Sequence, residues 1–279
     1  MKNHIIFFSG GKSSFAVAHL IKEKNPNDNI LLYFNDTLWE DEDLYRFIYE
    51  ASDKLKLPML IHGEGRTPLE IMEKDNFLYN SRVANCSLIL KARVAKRYLK
   101  KGEKPKIEKW HNKQYLKNEN FRDNPILYFG ISFTEIHRKE AIVRNWKPFD
   151  VEMPLITEYV DVDKLLYEYK IEIPRLYKMG FAHNNCKGRC IKGGQGHWIH
   201  LLKNDYKSFS EMRDFELKMN EQINNYKNTK NVKYSFLKKK GKPYWLKELE
   251  EDFRSKPQQL DIFDFGGCGC FIDEDASET

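Results

Sequence analysis

Apolar residues follow two rhythms along the first half of the chain. Short runs at His4–Phe8, Ile30–Phe34, Leu57–Ile61 and Ile126–Ile131 have strand length and little polar alternation, as strands buried on both faces do. Between them, Ser13–Lys24 places Phe15, Val17, Ala18, Leu20 and Ile21 at helical spacing, and Asp41–Lys56 and Ser87–Lys101 read as further helices. Asn25-Pro26-Asn27-Asp28-Asn29 is a turn cluster, and Pro58 sits near the start of its strand, where a missing N–H is tolerated. Strand alternating with helix at this pitch predicts an α/β fold: a parallel twisted sheet flanked by helices, Rossmann-like, with right-handed crossovers.

Beyond Pro154 the rhythm changes. Val160–Tyr169, Pro174–Met179 and Phe209–Tyr226 read as helices, and Lys238–Lys242 as a hairpin or loop tip. Glycine and cysteine crowd into Asn184–His197 and Gly266–Cys270. The expected organisation is a nucleotide-binding α/β domain over 1–154, a smaller helical, cysteine-containing region over 155–272, and a disordered acidic tail over 273–279.

Every apolar run is too short to cross a bilayer, so a membrane role is not expected. Met1-Lys2-Asn3-His4 leads straight into a strand-like run, which predicts no secretory signal, five reduced cysteines and a cytoplasmic location. The net charge of +6 is mild, but its distribution is uneven. Lys91–Lys117 holds eleven Lys/Arg against two Glu, while Lys247–Thr279 holds three basic residues against ten acidic ones. The Lys91–Lys117 segment suits a nucleic-acid substrate through counterion release, and equally the solvated face of a helix.

The sharpest local signal is Ser9-Gly10-Gly11-Lys12-Ser13-Ser14, between the first strand and the first helix. Glycines let the backbone turn tightly and bring N–H groups close to an anion, the helix N-terminus adds its positive dipole end, and Lys12 supplies a full charge. A Walker A loop would require glycine where Ile6 stands, and no G-x-G-x-x-G is present.

Four of the five cysteines form two close pairs, Cys186/Cys190 and Cys268/Cys270, each among glycines. Four converging thiolates would hold tetrahedral Zn²⁺, and equally a 4Fe-4S cluster, since spacing does not separate the two. Ordinary buried cysteines are a third reading, and a redox nucleophile at Cys268 or Cys270 a fourth. Cys86 is expected to pack at a helix start. His183, His197 and His200 flank the first pair and are read as satisfied side chains.

Ser9–Ser14 resembles the PP-loop of the adenine nucleotide α-hydrolase superfamily, in its phosphoadenosine phosphosulfate (PAPS) reductase-like branch. Further stretches line up in order: Leu32-Tyr33-Phe34-Asn35-Asp36-Thr37 with the family's second-strand segment, Cys86-Ser87-Leu88-Ile89-Leu90-Lys91 with its Cys…Lys helix start, Gly130-Ile131 through Glu135 and Arg138 with its Gly-Ile…Glu…Arg segment, and Met153-Pro154-Leu155-Ile156 with its Pro-Leu-Ile segment. The Asn185–Cys190 stretch and the closing Gly-Cys-Gly-Cys-Phe are similar to uncharacterised PAPS-reductase-like relatives. The resemblance implies that Asn35, Asp36 and Thr37 face the nucleotide, that Lys91 and Arg138 contact it or its sulfate end, and that Glu135 organises Arg138 or Mg²⁺. Two departures stand out. Ser13 replaces the Asp of many relatives, and neither the late Glu-Cys-Gly-Ile/Leu-His motif of PAPS reductases nor the adjacent cysteine pair of the adenylyl-sulfate (APS) reductases is present.

The resemblance implies an enzyme that binds ATP with Mg²⁺ and cleaves it to AMP and pyrophosphate, adenylating an acceptor for sulfur or nitrogen transfer, with Lys12 and Arg138 as its catalytic cations. A PAPS- or APS-type sulfonucleotide reductase with a C-terminal thiol is one alternative. A nucleotide- or nucleic-acid-binding regulatory module that has lost the chemistry is the other.

Overall fold

The computed structural model describes residues 1–80 and 83–255; Cys268, Cys270 and the tail expected over 273–279 lie outside them. The first half runs β1 (Asn3–Phe7), α1 (Lys12–Lys24), β2 (Asn29–Asp36), α2 (Glu42–Leu55), β3 (Met59–Gly63), α3 (Pro68–Asp75), a π-helical turn (Leu88–Ala92), α4 (Arg93–Lys101), β4 (Ile107–His111), β5 (Ile126–Phe129), a 3₁₀ turn (Phe133–Arg138), α5 (Lys139–Asn145) and β6 (Asp150–Glu152). There follow α6 (Val162–Glu168), α7 (Arg175–Lys178), α8 (Gln195–Asn204), α9 (Tyr206–Tyr226), the hairpin β7 (Leu237–Lys239) and β8 (Lys242–Tyr244), and α10 (Leu246–Ser255).

The six-stranded sheet has the order β4-β3-β2-β1-β5-β6. All its neighbours pair in parallel except β3 and β4, which are antiparallel with Leu60 opposite Trp110. The chain winds outward from β1 through β2 and β3, then returns to place β5 on the other side of β1. In an open α/β sheet the crevice at such a reversal, beyond the carboxyl ends of the strands, is where ligands bind.

Because successive side chains point to opposite faces, each central strand feeds two cores. Ile5, Phe7, Leu31, Tyr33 and Leu60 pack under α4 and α5, whereas Ile6, Phe8, Leu32, Phe34 and Ile61 pack under α1, α2 and α6. A third core joins Ile71 and Met72 of α3 to α8, α9 and α10. At its centre the fully buried Glu216 accepts the backbone N–H groups of Phe236 (2.8 Å) and Leu246 (2.6 Å), tying the hairpin and the start of α10 to α9. Among the described residues no helix is long and apolar enough to cross a membrane.

Candidate functional site

The loop after β1 is shaped by what its glycines touch. Gly10 has φ +77°, and a Cβ there would lie 2.8 Å from Leu44 Cγ, so α2 packs against a position only glycine fills without strain. Gly11 caps α1 in an extended conformation and supplies no side-chain cap hydrogen bond. Ser14 donates its hydroxyl to the Gly11 carbonyl at 2.8 Å. Two distant residues brace the loop. Asn184 donates Nδ2–H to the Gly10 carbonyl at 2.8 Å, and the Tyr177 hydroxyl accepts the Lys12 N–H at 3.2 Å.

Beyond this loop lies an open cleft of about 850 Å³, mouth included, at the carboxyl ends of β1, β2 and β5. Ser9, Gly11, Ser13, Ser14, Asn35, Lys91, Glu135 and Arg138 all line it, so the structure brings these expected residues together. Arg138 is buried and hydrogen-bonded to Glu135. Lys91, in the π-helical turn, holds its ammonium 3.4 Å from Glu40 Oε1. Asn35 is 5% exposed, yet neither of its amide atoms has a hydrogen-bond partner among the described residues. Asn184 leaves Oδ1 in the same condition, and its bond to the Gly10 carbonyl fixes that atom as an acceptor. Buried amide atoms left this way cost free energy that a bound polar ligand recovers.

Three expected ligand contacts point elsewhere. Lys12 turns its ammonium to Asp163 of α6 at 2.6 Å and stands 5.0 Å from the Tyr177 ring. Asp163 is mostly exposed, so this pair contributes little and Lys12 can leave it at small cost for a phosphate. Asp36 shapes the site from outside the cleft, accepting the Leu38 N–H (2.8 Å) and the Tyr45 hydroxyl (2.7 Å). Thr37 bonds Glu40 at 2.9 Å. Tyr177, His183, Asn184 and Asn185 line the cleft without having been expected there. They arrive from the cysteine-bearing stretch and the short helix before it, and no spacing rule links them to a loop so far upstream.

A second pocket adjoins the cleft and shares Lys91 and Asn185 with it. Cys86, Cys186 and Cys190 line it together with Trp39, and the Arg189 guanidinium stacks on Trp39 at 3.6 Å. Cys86 packs against the third core just before the π-helical turn, as expected, with its side chain at the rim of this pocket. Cys186 and Lys187 both have positive φ, and the Cys186 N–H donates to Glu40 Oε2 at 2.5 Å. The Cys190 thiol, burial and the Glu40 charge together push the Cys186 thiol well above its usual value. His197 is held neutral by burial, its pKa pushed down to about 4, and donates Nε2–H to the Gly188 carbonyl at 2.8 Å. Among the described residues no three His, Cys, Asp or Glu side chains are placed to hold one metal ion.

Residues 3–109 match the phosphoadenosine phosphosulfate reductase domain. That segment belongs to the PAPS-reductase-like branch of the PP-loop superfamily. The PAPS-reductase-like match spans β1 to β4 and therefore includes the Ser9–Ser14 loop, Asn35 and Lys91. Glu135, Arg138 and the Cys186/Cys190 pair lie beyond it. No curated protein matches the chain. The match supports nucleotide binding by this segment, and the family it resembles is usually enzymatic.

Proposed function

We propose that the chain is an enzyme that binds ATP in this cleft and cleaves it to AMP and pyrophosphate. An acceptor oxygen attacks the α-phosphorus, the bond from that phosphorus to the bridging oxygen breaks, and pyrophosphate leaves with the bridging oxygen. The adenylated acceptor then takes sulfur or nitrogen and releases AMP. The observation that supports this most is the convergence of Ser13, Ser14 and the uncapped start of α1 with Lys91 and Arg138 on one cleft. These donors would offset charge growing on the leaving pyrophosphate, with Lys12 joining them on release from Asp163. Mg²⁺ usually binds through one or two carboxylates plus phosphate oxygens, and Glu135 is the carboxylate on the cleft that fits this role.

The test is a side-by-side assay of pyrophosphate release from ATP and sulfite release from PAPS and APS. Pyrophosphate without sulfite is the expected result, and nucleotide affinity with neither product would point to a regulatory module. Arg138→Ala removes a buried charged donor, so nucleotide affinity is expected to fall by about tenfold or more, read by calorimetry.

The adjoining cysteine pocket favours sulfur chemistry and keeps the sulfonucleotide reductase as the second reading, with Cys268 or Cys270 as its thiol. We further propose that Cys186 and Cys190 hold a metal with Cys268 and Cys270. Soft thiols side by side fit zinc or an iron–sulfur cluster, and such a site would fasten the end of the chain beside the cleft. Metal analysis of anaerobically purified protein should find about one zinc or about four irons, lost in Cys186→Ser, Cys190→Ser. Metal-free protein that still folds would overturn the site.

A further inference from the structure

Helices α4 and α5 lie side by side on one face of the sheet. Tyr98 of α4 stacks on Tyr33 of β2 at 6.4 Å and meets His62 of β3 edge-on. Trp146, at the end of α5, packs on Phe7 of β1 and Phe129 of β5, and Lys96 of α4 reaches to 5.9 Å from the Trp146 ring. The outward sides of the pair are basic: Arg93, Arg97, Lys100 and Lys101 from α4, Lys139 and Arg144 from α5, all exposed. Their acidic neighbours are Glu140 and Glu103, the latter 3.9 Å from Arg97 and 3.8 Å from Lys101. No carboxylate among the described residues pairs with Arg93, Lys100, Lys139 or Arg144. On the opposite side of the sheet Arg46, Arg175 and Lys187 are bonded to Asp43, Asp41 and Glu42.

That face leads to the cleft. Lys91 stands two residues before α4 and Arg138 immediately before α5, and both line the cleft. In the 3₁₀ turn that carries Glu135 and Arg138, Phe133 is 69% exposed and Ile136 44% exposed. An aromatic ring left in water on the turn that leads into α5, together with exposed cations on α4 and α5, supplies the two kinds of group that bind unstacked bases and their phosphates.

We infer that the α4–α5 face docks the backbone of a single-stranded nucleic acid, that Phe133 stacks one of its bases, and that the strand supplies the acceptor oxygen at the cleft. The inference rests on the ATP-cleaving reading above for its last clause only. Charge alone would suit a duplex or an anionic membrane as well. The exposed ring favours a single strand, because a base inside a duplex offers it no free face.

The experiment measures binding of fluorescent single-stranded RNA, single-stranded DNA and the corresponding duplexes over a salt series, with ATP binding followed in parallel. Lys100→Glu, Lys101→Glu should weaken strand binding by about tenfold at low salt and lower the slope of log affinity against log salt by about two. Phe133→Ala should weaken single-strand binding by at least about fivefold and leave duplex binding unchanged. Neither variant touches the cleft, so ATP affinity should stay at the wild-type value and report an intact fold. The RNA and DNA arms decide which strand is preferred. No strand binding by the wild type, equal binding by the charge-reversal variant, or a duplex preference insensitive to Phe133 would each overturn the proposal. Strand binding without pyrophosphate release would sink the ATP-cleaving reading and leave the docking face standing.

Discussion

Gly130→Ala should destabilise the protein by about 1–3 kcal/mol and lower nucleotide affinity by more than about tenfold. Gly130 follows β5, where the sheet meets the first turn of α1. A Cβ there would lie 2.8 Å from Ser14 N, 3.0 Å from Ser13 C and 3.1 Å from Ser14 Cα. These are backbone atoms, so no rotamer change relieves the contact. Nor can α1 easily shift away, because Ser14, Phe15, Ala16, Val17 and Ala18 are all buried, with Phe15 edge-on to Phe47 of α2. The strain must therefore fall on the start of α1, whose uncapped N–H groups and serines are the donors offered to the ligand. Gly241→Ala is the control. Gly241 also has positive φ, +78°, but an added Cβ meets nothing within 4 Å. It should cost about 1 kcal/mol of strain and leave nucleotide affinity unchanged. Thermal unfolding and ATP titration read both variants, and an alanine at Gly130 that binds ATP as tightly as wild type would refute the argument.

The parts of this molecule that can be read in its sequence are those whose physics is local. Ile30–Phe34 is an unbroken apolar run because β2 is buried on both faces, and it is bounded by a turn cluster that contains no helix former. The Ser9–Ser14 loop is legible for the same reason: glycines, lysine and serines stand together at a strand-to-helix junction. Strand β4 is not legible this way. Ile107-Glu108-Lys109-Trp110-His111 is a half-buried edge, where charged side chains are the usual protection against stray pairing, and its antiparallel return depends on β3. The parallel sheet expected from the rhythm accordingly gains one antiparallel edge strand. Helix α3 does carry a local signal: Thr67-Pro68-Leu69-Glu70 forms a full capping box with proline in the first turn.

The site divides along the same line. Arg138 and Glu135 can be placed by rule, since they follow a strand next to β1. Asn184 cannot, because it reaches Gly10 across 174 positions of chain. The orientation of Lys12 cannot either, because it is decided by Asp163 on a helix whose packing against α1 is a tertiary fact. Sequence spacing names the residues able to bind a phosphate. Which of them faces the cleft is settled by partners that lie far away in the chain.

The second large effect lies away from the cleft. Glu216→Ala should destabilise the protein by about 3–5 kcal/mol, because it strands two buried N–H groups at about 1–3 kcal/mol each and opens a cavity in the third core. The same carboxyl should give stability a characteristic pH dependence. Burial pushes its pKa up to about 8 against the pull of its two N–H donors. An unfolded glutamate ionises near 4.5, so between about 4.5 and 8 the folded chain keeps a proton that the unfolded chain has lost. Folding stability from this group therefore falls as pH rises through that window, by up to about 1.4 kcal/mol per pH unit. Two histidines act in the opposite direction over part of it. His62 and His197 are held neutral by burial, with pKa values lowered to about 4, so stability rises with pH from about 4 to about 6.5 as their unfolded counterparts lose charge. Above about 6.5 the histidine terms are exhausted and Glu216 stands alone among these three. Melting temperature should consequently decline from pH 6.5 to pH 8 in the wild type, and the decline should vanish in Glu216→Gln, which cannot ionise. A glutamine variant with the same downward slope would assign the effect to another group, and a wild type with no slope would mean that the two N–H donors hold Glu216 ionised throughout.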